Sequence, residues 1–190
     1  MLEKLRQQAN VCQRCALAEV RNRVVFGEGD AVSGWMLVGE APGAREDQSG
    51  RPFVGLAGQI LTRGVEAAGV SRDSVFITSV VKCRPPKNRL PGRAEVAACL
   101  PLLRQQLERI RPGIVVCLGS LASRTLLGDP KLKVSEARGT WFRKDGMAIM
   151  PVFHPAAILR NRHKMDEFAG DLQQAAEAWK TWATLRAHQE

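Results

Sequence analysis

The chain has no apolar run approaching the roughly 20 residues that cross a bilayer, and its opening stretch MLEKLRQQAN holds no apolar secretory core. Both absences point away from membrane and export, so a cytoplasmic protein with no membrane partner is expected. No internal repeat and no low-complexity segment occurs, which excludes solenoids and fibrous arrays. Acidic residues are scarce: 19 Asp plus Glu stand against 28 Lys plus Arg, a formal net charge of +9. That balance suits a polyanionic partner such as nucleic acid. At 190 residues the simplest expectation is a single domain, residues 1–190, with a substantial core, acting as a monomer.

Five cysteines are present: Cys12, Cys15, Cys83, Cys99 and Cys117. A reducing cytosol disfavours disulfides, so Cys12-x-x-Cys15 reads as half of a metal site. Cys83 and Cys99 bracket fifteen residues, RPPKNRLPGRAEVAA, and add two thiolates. Four thiolates suit tetrahedral zinc or a [4Fe–4S] cluster, and spacing does not choose between them. Cys117 lies inside the apolar run IVVCLG and reads as an inert strand residue.

The most unusual stretch is Gly39–Gly58, GEAPGAREDQSGRPFVGLAG. It follows the strand-like WMLV and precedes a helical segment, so it reads as a long loop at a strand end, where α/β folds keep their sites. Its glycines permit close approach and its prolines stiffen the path. The acids Glu40, Glu46 and Asp47 with the aromatic Phe53 suit a pocket that holds a flat ring near a carboxylate. Taken singly, each residue is as well explained by loop shaping or core filling; the whole string is not.

GEAPG-x-x-ED with GRPFVG-x-AG, joined further on by the cysteine spacing, KCRPPKNRLP and FHP, resembles the iron–sulfur uracil-DNA glycosylases of family 4 over roughly residues 8–179. The resemblance implies a [4Fe–4S] cluster on Cys12, Cys15, Cys83 and Cys99, tying an N-terminal arm to the loop after the second strand. It implies hydrolysis of the bond between uracil and deoxyribose in DNA, after the base is flipped from the stack. His154 then directs a donor at uracil O2, where charge develops, and Glu40 orients water or stabilises an oxocarbenium-like cation. Phe53 is the stacking platform, with Ala41 and Glu46 completing the pocket, and Asn88 matches a family asparagine near water or substrate. A lone histidine is usually structural, and an Asn in KNRLP is equally suited to a turn. Ile158 and Leu159 are candidate wedges and Arg160 and Arg162 candidate phosphate ligands, although a charge run is often just a solvated helix start.

Two residues depart from the family pattern. Ser79 stands in ITSVVKC where an asparagine usually reads the uracil edge, and Ala156 follows His154-Pro155 where serine is usual. One hydroxyl cannot offer an amide's donor and acceptor together. Three readings follow: a uracil-DNA glycosylase, a glycosylase of the same fold shifted towards hypoxanthine or xanthine, and a cluster-bearing nucleic-acid binder without catalysis. No histidine lies in Arg84–Arg93, which argues against covalent trapping of uracil.

The pattern along the chain predicts strands near residues 35–39, 75–81, 114–118 and 147–153, with helices near 59–68, 93–110, 120–127 and 165–185. Strand and helix alternate. The predicted fold is therefore a three-layer α/β/α domain around a four-stranded parallel sheet, with the functional pieces gathered at one edge.

Overall fold

The computed structural model describes residues 2–187; the domain expected over 1–190 also takes in residues 1 and 188–190, which lie outside the described residues. The chain opens with α1 (Glu3–Asn10) and α2 (Leu17–Val20), which flank the Cys12-x-x-Cys15 turn. It continues through β1 (Trp35–Gly39), α3 (Ala44–Ser49), α4 (Leu56–Ala67), β2 (Phe76–Ser79), α5 (Arg93–Ile110), β3 (Ile114–Leu118) and α6 (Ser120–Leu127). It closes with α7 (Val134–Ala137), β4 (Phe142–Lys144), β5 (Met147–Val152), α8 (Pro155–Arg160) and α9 (Met165–Ala187).

The sheet runs in the order β2-β1-β3-β5-β4. Its first four members are parallel, with Leu37 opposite Ile77 and Val116, and Val116 opposite Met150. The expected four-stranded parallel sheet is thus corrected to five strands, β4 pairing antiparallel to β5 at one edge. The extra strand comes from a hairpin whose two-residue turn is Asp145-Gly146, both at positive φ (51° and 78°). That is the backbone of a type I′ turn, and Asp-Gly is its usual sequence.

Strand residues alternate between two cores, as the period of two requires. Trp35, Leu37, Val116 and Met150 face α4, α8 and α9, packing on Leu61, Val65, Phe168 and Leu172. Met36, Val38, Val115 and Ile149 face the other way, onto Leu5 of α1, Leu17 of α2, Leu103 of α5 and Ala122 of α6. Each fully buried Leu, Ile or Phe contributes about 1.5–3 kcal/mol. Burial on both faces explains why these strands read as continuous apolar runs. Among the described residues no helix is long and apolar enough to cross a membrane.

Two expectations shift in detail. The stretch 39–58 is not all loop: Ala44–Ser49 forms α3, and α4 begins at Leu56 rather than near 59. The second strand ends at Ser79, and Val80 and Val81 continue as buried irregular chain whose amides bond the Gly39 and Glu40 carbonyls at 2.9 and 3.0 Å.

Candidate active site

β1 has β2 on one side and β3 on the other, so chain connections leave the ends of β1 and β3 in opposite directions and open a crevice between them. The residues after these strand ends line one cavity of about 870 Å³. Glu40 follows β1, Ser79 ends β2, Gly119 follows β3, and His154 stands two residues beyond β5. The volume lies in the range of small-molecule pockets.

His154 is fixed by the start of α8. It is the residue before the helix, Pro155 occupies the first turn, and its Nδ1 accepts the Ala156 amide at 3.1 Å. Nδ1 is therefore unprotonated and Nε2 carries the hydrogen. Burial, with the Arg160 cation adding to it, pulls the ring's pKa down to about 4. The ring is a neutral N–H donor at physiological pH. Gly119 makes room for it: this residue sits at φ +92°, and a Cβ there would stand 2.9 Å from His154 Cβ.

Phe53 lies beside the histidine, ring centroids 5.9 Å apart and tilted by 37°. Its backbone is left-handed, φ 52°, a conformation that costs an aromatic residue about 1–3 kcal/mol unless its surroundings impose it. They do. Arg72 donates to the preceding carbonyl, Pro52 O, at 2.7 Å and to Thr62 Oγ1 at 2.9 Å. Glu46, expected in the pocket wall, lines the cavity and gives its carboxylate to backbone, accepting Gly43 N–H (3.1 Å), Val54 N–H (2.9 Å) and Gly55 N–H (2.7 Å). One side chain thus joins both ends of the segment that carries Phe53. The ring rests on Gly39, where a Cβ would meet Phe53 Cζ at 2.5 Å. Gly39→Ala should therefore push the ring aside: steady-state kinetics are expected to show KM raised about tenfold, with a stability loss of about 1–3 kcal/mol in urea melts. An unchanged KM would remove the ring from the binding surface.

Glu40 lines the cavity and makes no side-chain hydrogen bond among the described residues. Burial raises its pKa above the ordinary carboxylate value, and the Arg160 cation opposes that rise. One arginine therefore acts electrostatically on both Glu40 and His154.

The model of the uracil DNA glycosylase superfamily matches residues 26–186, most of the chain and every residue lining this cavity except Val25. The chain belongs to that superfamily. It is 44% identical over 178 residues to a type-4 uracil-DNA glycosylase of Pyrobaculum aerophilum, covering 90% of this chain and 91% of the relative. A type-4 uracil-DNA glycosylase of Thermotoga maritima is 41% identical, with 85% of each chain covered. A type-5 uracil-DNA glycosylase of Pyrobaculum aerophilum is 36% identical over 78% of this chain and 73% of its own.

Within this superfamily member the cavity gathers Glu40, Ala41, Phe53, Ser79, Asn88, His154 and Arg160. Ser79 is 3% exposed. Asn88 stands at φ 54° and accepts Arg84 Nε at 2.7 Å, so its side chain braces the loop it belongs to. Ile158 must be corrected: it is 0% exposed and packs in the core with Phe168, so it cannot enter DNA. The helical turn of α8 sends it inward and leaves its neighbour Leu159 46% exposed. Arg162 is exposed beyond the end of α8 and does not line the cavity.

The four expected cluster ligands do not form a ready-made metal shell among the described residues. They are neighbours nonetheless. Burial pushes the Cys83 thiol up to about 11, with the Arg21 guanidinium opposing and the charges of Cys99 and Cys15 adding to it. Burial likewise raises Cys99, with Lys82 opposing and Cys12 and Cys15 adding. Two N–H groups already aim at sulfur: Arg21 reaches Cys83 Sγ at 3.5 Å and the Lys82 amide reaches Cys99 Sγ at 3.3 Å. Four soft donors linked through Cys99, which feels the charges of Cys12 and Cys15 and acts on Cys83, with N–H groups directed at two of the sulfurs, are a set that fits an iron–sulfur cluster.

Three contributors escaped the sequence reading. Arg72 braces Phe53 from a turn with no motif to mark it. Arg160 was placed on phosphate, without its second role beside Glu40. Lys82 is wholly buried, donating to Thr78 Oγ1 at 2.6 Å and to the Ser79 carbonyl, and burial lowers its pKa to about 7 against the charge of Cys99. Its position in VVKC, between a buried strand and a cysteine, was the available signal.

Proposed function

We propose that this chain is a monofunctional glycosylase that hydrolyses the N-glycosidic bond of uracil in DNA, as the names of its type-4 relatives indicate for them. The observation that carries the reading is the convergence of a neutral His154, a Glu40 side chain that makes no hydrogen bond among the described residues, and the Phe53 ring on one cavity. A flipped uracil stacks on Phe53. His154 Nε2–H donates to O2 as the C1′–N1 bond breaks and its electron pair leaves with the base. Glu40 faces the sugar, stabilises the positive charge at C1′ and receives the proton of the water that adds there. No lysine nucleophile is needed, because water is the acceptor. DNA is the partner that a net charge of +9 suits, and we place the activity in the cytoplasm on a monomer.

Cys12, Cys15, Cys83 and Cys99 would hold a [4Fe–4S] cluster. When bound, it supplies a covalent tie between the N-terminal arm and the segment after β2, and no chemistry at the glycosidic bond.

A second reading is favoured by Ser79. Its buried hydroxyl is the side chain at the end of β2, its Oγ 3.2 Å from where a Cβ on Gly39 would stand, and a single hydroxyl discriminates bases weakly. Release of uracil, hypoxanthine, xanthine and mismatched thymine from matched oligonucleotides separates the readings. Uracil release impaired by Glu40→Gln supports the first; preference for a purine supports the second; no release of any base sinks both. Ser79→Asn should raise the ratio of uracil to hypoxanthine release about tenfold or more, the scale of one added base-edge hydrogen bond. An unchanged ratio would mean that Ser79 does not read the base.

A further inference from the structure

Of the large apolar side chains that stand exposed among the described residues, Leu90 is the one that also lines the active-site cavity. It is 68% exposed. A single exposed leucine is ordinary on a protein surface, but the backbone of Leu90 is held in an unusual way. The Arg89 guanidinium makes two bonds to Glu95, at 2.8 and 2.6 Å, and donates to the Leu90 carbonyl at 3.0 Å. Glu95 also accepts the Gly92 amide at 2.7 Å. On the other side, Arg84 grips Asn88 at 2.7 Å, and Pro91 is buried immediately after the leucine.

The arm is thus locked on both sides of a side chain directed to solvent at the cavity mouth. Lys87 and Arg93, both exposed, place positive charge to either side of it. A rigid apolar tip between cations matches a partner with apolar stacked faces inside and phosphates outside. The burial of Ile158 leaves Leu159 as the only one of the two expected wedges that is able to reach DNA, and α8 is a separate wall of the cavity from this arm.

We infer that Leu90 is a second wedge, entering the duplex beside an extruded nucleotide while Lys87 and Arg93 lie on the flanking phosphates. The inference depends on the reading that this cavity takes a flipped base. It concerns duplex DNA in particular: a single strand has no stack to hold apart, so the wedge has nothing to fill there.

The test uses the cluster-loaded full chain and a duplex with a tetrahydrofuran abasic site next to 2-aminopurine, whose fluorescence rises when its stacking is broken. No base release is required. The unaltered protein is expected to raise the fluorescence at saturation. Leu90→Ala should lose most of that rise and weaken duplex binding about tenfold or more, the scale of one leucine side chain's burial, while single-strand binding of the same oligonucleotide falls by less. Leu90→Met should keep the rise. An equal loss on duplex and single strand, an unaltered rise with Leu90→Ala, or no rise with the unaltered protein overturns the inference. Leu90 makes no core contact, so a thermal melt of Leu90→Ala should match the parent. Uracil release by the parent, measured in parallel, keeps the two ideas apart. A wedge signal without release sinks only the excision reading, and release with an unaltered Leu90→Ala signal sinks only the wedge.

Discussion

His154→Ala is expected to lower single-turnover uracil release by about 10²–10³, or about 2.7–4 kcal/mol of transition-state stabilisation, the range for removing one preorganised oxyanion donor. The loss should fall on the chemical step with little change in binding, because Nε2–H meets full charge only as the base departs. The pH dependence separates the two charged players. His154 titrates at about 4 in the folded chain, against about 6.5 for a free histidine. Between pH 6 and 8 it stays neutral, and the rate should be flat as far as it is concerned. For stability, the unfolded chain binds the extra proton between these two values. The contribution of the neutral ring is therefore fully present above about 6.5 and lost as pH falls towards 4.

Glu40 behaves oppositely in sign. Its pKa is raised by burial, against the opposing Arg160 cation, so the acid limb of the rate profile should be displaced upward relative to that of an ordinary glutamate. Glu40→Gln should abolish that limb along with most of the rate. A His154→Ala protein with parental turnover, or an acid limb that survives Glu40→Gln, would dismantle the assignment of roles.

Cys83→Ser is expected to have the largest effect on the folded protein. Cys83 is buried in the core shared by α1, α2 and α5, and the proposed cluster would tie those elements together across sixty-eight or more positions of chain, from Cys15 to Cys83. Its loss removes a metal-linked tie and sets a hydroxyl into a buried, largely apolar position, a combination that costs about 4–5 kcal/mol or more. For a chain of this length that corresponds to a fall of about 10 °C or more in Tm, together with loss of the brown chromophore. Cys117→Ser supplies the contrast: this thiol is wholly buried in β3 and burial raises its pKa strongly, so the variant should lose some stability and keep the chromophore. A colourless Cys83→Ser protein that melts with the parent would show that the four cysteines hold nothing structural.

The alternation of apolar strands and amphipathic helices was legible because both periodicities are local. Arg93–Ile110, Ile114–Leu118 and Ser120–Leu127 have in the structure the boundaries their patterns predict. The Asp145-Gly146 turn was equally local, and its hairpin could have been read; without it the sheet was one strand short. Glu40, Ser79 and His154 were recognisable as a set because their motifs resemble the family's and each ends or closely follows a strand, and parallel strands bring their ends to one edge of a sheet; Phe53, in the loop after α3, was marked by its motif GRPFVG alone.

What each side chain does at that edge depends on contacts between distant segments. Sequence alone determined an α/β chain with an excess of positive charge, four cysteines in two pairs, and acid and histidine residues at strand ends with an aromatic in the loop between them. Only the tertiary structure decided that Glu46 holds three backbone N–H groups from the cavity wall, that Ile158 is interior while Leu90 is exposed, and that Arg160 stands by both Glu40 and His154. Composition and periodicity report how a residue relates to its neighbours along the chain; burial, pKa and the direction of a hydrogen bond are set by whatever the fold brings against it.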